Sequence, residues 1–337
     1  MNDEPPFDAL LLLSFGGPEG PNDVLPFLEN VTRGKNVPRQ RLEAVAEHYR
    51  LFNGVSPINE HLRALLVAVI GELNRRGPAI PVFWANRFWH PLLPDVLNEM
   101  GDQGIRRALA FVTSAFGSYP GCRAYREAIY EACSMLWPVA PHVEKIRLFY
   151  DHPDFIAAQA DRVRCAAELL GDSRPRVLFT AHSIPRSMAA VSPYERQLYQ
   201  ACRWTAEQAG ITDWQLAYQS RSGPPDQPWL EPSVEDTLTQ WAAAGCRRVV
   251  LAPIGFLVEH MEVAYDLDIE AAQLCERLGI EIVRAGTVGG HPRLTTMICK
   301  LVAERFDSNV PRESLRPEGP PPDVCPPDCC EVVSRAG

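Results

Sequence analysis

The stretch "GCRRVVLAPIGFLVE", residues 245–259, repeats the organisation of an earlier one, "GIRRALAFVTSAFGS", residues 104–118. In each, a glycine ends a helical stretch and two arginines lead into an apolar run. A loop follows near Phe116 or Phe256. An apolar run without polar alternation reads as a strand covered on both faces, as in a parallel sheet. Working outward, "LLLLSFGGP" (10–18) parallels "RVLFTAHSIP" (176–185), and "PVFWANRFW" (81–89) parallels "QLAYQSRSG" (215–223).

The pattern predicts strands near 8–14, 80–85, 107–114, 144–150, 175–181, 213–219, 247–254 and 280–285. Amphipathic stretches between them, among them 40–50, 58–76, 93–102, 153–171, 194–209, 233–244, 262–278 and 291–306, predict helices. The fold class is α/β: two similar doubly wound lobes, each a four-stranded parallel sheet flanked by helices. The first lobe is expected over 1–145 and the second over 146–310, with the last helix crossing back onto the first. From 311 to 337 the chain is rich in Pro and Cys and poor in apolar residues, so it builds no core of its own. Ligands of such sheets sit at the carboxyl ends of the strands. The loops to watch are therefore 14–20, 52–59, 86–91, 114–125, 181–187, 219–229 and 255–266.

The 337 residues are 46% hydrophobic and 22% charged, with a net charge of −9. That balance is globular and argues against a nucleic-acid partner. The start, "MNDEPPFDALLLLSF", is acidic, and its apolar run is too short for a signal segment or a membrane span. A cytoplasmic protein is expected. Peripheral contact with a membrane or with another enzyme is compatible with that, and no particular oligomeric state is required.

Chemistry concentrates at a few strand ends. "FTAHSIP" places His182 at the end of a buried strand. "GFLVEHMEVAYDLDIEA" (255–271) sets His260 among Glu259, Glu262, Asp266, Asp268 and Glu270. On a regular helix Glu259, Glu262, Asp266 and Glu270 fall within roughly 80° of one another. Asp268 lies about 240° from Glu262 and joins that line only through a π-bulge. Solvation explains most acidic runs, but this one starts where ligands bind. Imidazole and carboxylates there suit a first-row divalent metal such as Fe²⁺ and also offer general bases. In "FNGVSPINE" (52–60), Ser56 before Pro57 suits a helix cap or an anion site. "SFGGPEGP" (14–21) lacks both GxGxxG and GxxxxGK[ST], which argues against a nucleotide site.

Taken together, "LLLSFGGPEGP", "FLENVTRG", "NGVSPIN", "TSAFGSYPGCRAYRE", "FTAHSIP", "QSRSGPPDQPWLEP" and "PIGFLVEHMEVAYDLDIE" resemble, in order and over about residues 7–307, the ferrochelatases. These enzymes of haem synthesis insert Fe²⁺ into a porphyrin. The resemblance implies that His182 and Glu262 are the catalytic and metal-site pair, and that Asp266, Asp268 and Glu270 form a metal or proton path. It further implies porphyrin contacts by Ser56, Tyr125 and Phe15. Some members carry Tyr where Phe15 stands, so a phenolate ligand on that side is lost here. The likeness is greatest to actinobacterial-type members, which favours coproporphyrin III over protoporphyrin IX. The alternatives are another tetrapyrrole chelatase, such as a cobalt-inserting one, and a non-catalytic porphyrin or haem carrier. Glu262 argues against the first, where a second His is typical. The pairing of His182 with Glu262 argues against the second.

Of the ten cysteines, six (Cys133, Cys165, Cys202, Cys246, Cys275, Cys299) lie in apolar contexts and read as structural thiols of a reducing compartment. "CPPDCC" sets Cys325, Cys329 and Cys330 on the tail. Some ferrochelatases hold a [2Fe–2S] cluster through three C-terminal cysteines and one internal one, and the tail resembles that arrangement. The internal candidate is Cys122, a loop cysteine. A structural zinc is the competing metal.

Overall fold

In each sheet the first strand is largely apolar and buried, and it sits between two other strands. The computed structural model describes residues 6–171, 175–224 and 226–331; the end of the tail, 332–337, lies outside them. Among the described residues there are eight strands: β1 (Ala9–Ser14), β2 (Val82–Asn86), β3 (Arg107–Val112), β4 (His142–Lys145), β5 (Arg176–His182), β6 (Trp214–Gln219), β7 (Arg248–Ala252) and β8 (Glu281–Arg284). They form two all-parallel sheets of the same topology, β2-β1-β3-β4 and β6-β5-β7-β8. Leu10 to Leu13 and Val177 to Phe179 are fully buried, as strands covered by helices on both faces must be.

The chain divides into two compact units. The first comprises the residues up to Thr113, with Tyr125–Ile146 and Ile298–Pro311. Its core packs Leu11, Leu13, Val96, Leu97, Met100 and Ile129 on one face of the sheet. Within this unit Phe7 meets Phe306 at 6.0 Å, and Arg305 reaches Glu144 at 2.6 Å. The second unit comprises Ser114–Ala124, Arg147–Met297 and the segment from Arg312 onward. Its core gathers Leu178, Leu238, Trp241, Leu251, Val263 and Leu267. No helix among the described residues is long and apolar enough to cross a membrane.

One strand is displaced from its expected position. The segment 146–150, apolar apart from Arg147, is buried, but the ladder ends at Lys145 and the chain continues without strand structure. Apolarity there reports burial rather than strand pairing.

The strand order reverses between β5 and β7, and such a switch point opens a crevice beyond the strand ends. The loop after β7 is drawn tightly onto β5. Gly255 donates its N–H to the Thr180 carbonyl at 3.0 Å. A Cβ on Gly255 would stand 2.6 Å from Cβ and 2.7 Å from Cα of Ala181. Gly255→Ala therefore has to push the end of β5 aside. It is expected to lower the unfolding free energy by about 1–3 kcal/mol. Urea unfolding checks this, and an unchanged midpoint contradicts the close approach.

Candidate functional site

His182 is the last residue of β5, and Glu262 lies in the short helix Met261–Tyr265 that follows the β7 loop. Both therefore sit at the switch point of the second sheet. His182 Nε2 lies 3.5 Å from Glu262 Oε1, and the two side chains are 31% and 48% exposed. The His182 Nδ1 proton is donated to the Ser183 carbonyl, which turns Nε2 toward the carboxylate. Tyr194 Oη donates to the His182 carbonyl at 3.0 Å and steadies the strand end. His260 accepts the Glu262 N–H through Nδ1 at 3.2 Å, so it caps the helix that presents Glu262. Burial opposes charge on the imidazole of His182, but the Glu262 carboxylate outweighs it and the pKa is raised. Burial likewise opposes charge on Glu262, and His182 and then His260 outweigh it, so that pKa is lowered. The pair rests as imidazolium and carboxylate, tempered by solvent at its open side.

Beyond Glu262 the helix widens. Residues Asp266–Ala271 form a π-helical segment, and α-helix resumes at Ala272–Leu278. The sequence period explains it. Val263, Leu267, Ala271 and Cys275, all buried, recur every four residues, and so do Glu262, Asp266 and Glu270. On an α-helix that period drifts by about 40° per step. The wider i→i+5 turn takes up the drift and keeps both stripes in line. Asp266 accepts a hydrogen bond from the Ser220 hydroxyl and one from Gln219 Nε2 at 3.4 Å; Gln219 also donates to the Glu262 carbonyl at 2.8 Å. Burial, with repulsion from Glu262 and Glu270, pushes the Asp266 carboxyl up to about 7, against the Ser220 hydrogen bond. Glu270 is also raised, by burial and then by Glu235, and it borders a surface depression of about 540 Å³ with Asp236, Gln240 and Arg277.

Asp268 is placed differently. The π-segment it was expected to require is present, yet its carboxylate is held by Arg284 Nε at 2.5 Å and Nη2 at 3.1 Å. The same guanidinium takes Glu259 at 3.1 Å. Arg284 thus gathers two of the five acids into an ion-pair cluster, and Asp266 and Glu270 remain beyond Glu262.

In the first unit, Phe15 follows β1, is 37% exposed and packs on Phe88 with ring centroids 4.6 Å apart. Ser56 is buried and its N–H donates to the Pro18 carbonyl at 2.8 Å. A Cβ on Gly17 would lie 2.6 Å from the Ser56 Cβ, so glycine lets the two loops touch. The Tyr125 ring is buried, with the Arg87 guanidinium 4.8 Å from its centre and 4.6 Å from that of Phe88. Burial raises the Tyr125 pKa to about 12 against the pull of Arg87, so the phenol stays a neutral donor. Phe15, Tyr125 and Arg87 therefore share one neighbourhood built around Phe88, while Ser56 belongs to the adjoining loop. Sequence reasoning marked the 86–91 and 219–229 loops but singled out neither Arg87 nor Ser220.

Cys122 is buried in the π-turn Tyr119–Arg123, which Ser118 caps by accepting the Gly121 N–H at 3.1 Å. Cys330 is buried too, and burial together with its neighbours Cys329, Cys122 and Cys325 pushes its thiol up to about 12. Cys330 thus has three other cysteines for neighbours, and four sulfurs are the number of ligands an iron–sulfur cluster takes. A second set, His152, Asp154 and Glu313, brings ligand atoms within 4.8 Å of one another. There, however, His152 Nδ1 accepts the Asp154 N–H at 3.1 Å, which leaves the proton of the neutral ring on Nε2. Asp154 is moreover held by Arg293 at 3.4 Å. That set is a helix cap with ion pairs rather than a metal site.

Comparison with known proteins places these geometries in context. The family model described as Ferrochelatase matches residues 7–306. A ferrochelatase of Rhodopirellula baltica is 52% identical over 99% of this chain and 96% of its own length. Two proteins named coproporphyrin III ferrochelatase are similarly near. That of Frankia alni is 50% identical over 96% of this chain and 86% of its own. That of Mycolicibacterium smegmatis is 48% identical over 94% of each. Among solved structures, SirB from Bacillus subtilis with Fe³⁺ shares the fold, with a TM-score of 0.55 at 10% identity, covering 91% of this chain and 99% of its own.

The raised Asp266 pKa gives stability a definite pH dependence. The unfolded chain loses this proton near pH 4, while the fold keeps it until about pH 7. The contribution is thus fully present at low pH and is lost as pH rises through the folded value. Asp266→Asn removes that slope. Its unfolding free energy should gain on the parent's by up to about 1.4 kcal/mol per pH unit between those limits and level off above them. Urea unfolding across that range checks this, and a constant difference contradicts the assignment.

Proposed function

Because the chain belongs to the ferrochelatase family, we propose that its porphyrin is coproporphyrin III and that His182 and Glu262 exchange metal for protons. The protein is an enzyme that inserts iron into a porphyrin in haem biosynthesis. The reaction replaces two pyrrolic protons by one Fe²⁺, so its site must hold a cation and take up protons in turn.

The 3.5 Å contact between His182 Nε2 and Glu262 carries the reading. In the resting pair the carboxylate keeps a proton on the imidazole. Fe²⁺ arriving at Glu262 cancels the charge that held that proton, and His182 releases it. The neutral imidazole is then free to accept a pyrrolic proton. Asp266, titrating near 7, suits the next proton acceptor, and Glu270 leads from it to solvent. Asp268, bound to Arg284, shapes the helix rather than this path. Because the two side chains are coupled, the pair titrates as a unit. Ser56, Tyr125 and Phe15 are assigned to porphyrin contact, with Tyr125 as a hydrogen-bond donor and Phe15 as an apolar surface.

The names of the Frankia and Mycolicibacterium relatives support the tetracarboxylate substrate. The nearness of Cys122, Cys325 and Cys329 to Cys330 supports a [2Fe–2S] centre held by these four, which when bound would supply a one-electron redox group. The ten free cysteines suit the cytoplasm, a reducing compartment.

Glu262→Gln should lower turnover by at least about a hundredfold, a typical effect for a group acting in proton transfer. Porphyrin affinity, read by fluorescence quenching, should stay within a few-fold. Retained turnover overturns the assignment of Glu262. Parallel turnover on the two porphyrins tests the substrate, and equal or better rates with protoporphyrin IX contradict coproporphyrin III. Anaerobically purified protein should be coloured and contain iron and sulfide. A colourless, zinc-bearing sample eliminates the cluster.

A further inference from the structure

The tail from Arg312 has too few apolar residues to fix itself by burial. It nevertheless follows a defined course within the second unit, held at two places by polar groups that the chemistry above does not use. The upstream anchor is the pair Arg147 and Asp151, which are 1% and 0% exposed and 3.7 Å apart. Removing two charges from water is costly unless their remaining donors and acceptors are satisfied. The tail supplies a partner to the guanidinium, one to a carboxylate oxygen and one to the Asp151 backbone. Arg147 Nη2 donates to the Glu313 carbonyl at 2.8 Å. The Ser314 hydroxyl donates to Asp151 Oδ2 at 2.5 Å, and the Leu315 N–H donates to the Asp151 carbonyl at 2.8 Å.

The downstream anchor is Arg123, the residue after Cys122. Its Nη1 donates to the Cys329 carbonyl at 2.9 Å and lies 3.7 Å from the Glu331 carboxylate. This guanidinium therefore ties the turn that carries the internal thiol to the backbone that carries the other three. With residues 316–328 tied down at both ends, the tail thiols stay at high effective concentration beside Cys122.

We propose that Arg123 and the Arg147–Asp151 pair are positioning residues that dock the cysteine tail beside the Cys122 turn in the metal-free chain, before any metal arrives. The proposal rests on the cluster reading for its purpose but not for its test.

The test uses the full chain, stripped of metal and reduced, in the parent, Arg123→Gln, Arg123→Lys and Ser314→Ala forms. Iodoacetamide labelling of Cys329 and Cys330 is followed by peptide mass spectrometry. Losing one charge-assisted hydrogen bond should open the tail about tenfold more often. Labelling in Arg123→Gln should accelerate by about that factor, with Arg123→Lys closer to the parent. Ser314→Ala should accelerate it as well, while the thermal midpoint of the whole protein moves little. Labelling at the parental rate in both Arg123→Gln and Ser314→Ala overturns the proposal. Iron and sulfide content of the loaded parent is read separately. A parent that binds neither, with labelling still accelerated in the variants, removes the cluster and leaves the docking in place.

Discussion

Proposed turnover depends on one contact, the 3.5 Å approach of the His182 imidazole to the Glu262 carboxylate. Each partner shifts the other's proton affinity, so a change at one is felt at the other. An isolated His at this strand end would be a base of ordinary strength with nothing to switch it. An isolated carboxylate would bind metal without moving a proton. Together they give a site in which cation and proton compete, which is what exchanging pyrrolic protons for iron demands.

The scaffold serves that contact in physical steps. Parallel strands put two loops at one switch point, and Gly255 lets the β7 loop lie against the end of β5. His260 caps the short helix that presents Glu262. The π-segment keeps Asp266 and Glu270 in line behind it, over an apolar stripe of the same period. Arg284 draws Glu259 and Asp268 into its own ion pairs, which relieves part of the repulsion among five neighbouring acids.

Much of this was legible in the chain. Buried parallel strands are near-continuous apolar runs, so β1, β3, β5 and β7 stood out, and the repeat between 104–118 and 245–259 carried the two-sheet arrangement. The segment 146–150 misled because its Ile, Leu, Phe and Tyr are buried without joining a ladder, alongside a buried Arg147. The four-residue period of 262–275 was visible, but reading it as a π-segment required knowing that both stripes had to stay aligned. Arg87, Ser220, Arg284 and Arg123 escaped notice for a common reason. Each acts on a group brought near by the fold rather than by the local pattern: Arg87 on Tyr125, Ser220 on Asp266, Arg284 on Glu259 and Arg123 on Cys329. Cys122 was set apart from the other internal cysteines as a loop residue, but it is buried in a π-turn and Cys246 lies in irregular chain as well, so local context alone does not distinguish them.

The most direct test of the coupled site counts protons. Co²⁺, a stand-in for Fe²⁺ that resists oxidation in air, is titrated calorimetrically into porphyrin-free protein near neutral pH. Two buffers of different ionisation enthalpy give the number of protons released per metal. Protons from other ligands, the tail thiols included, are common to the parent and to His182→Gln. The account predicts that the parent releases about one proton more than the variant, the imidazolium proton displaced when metal reaches Glu262. Equal release from the two proteins contradicts it.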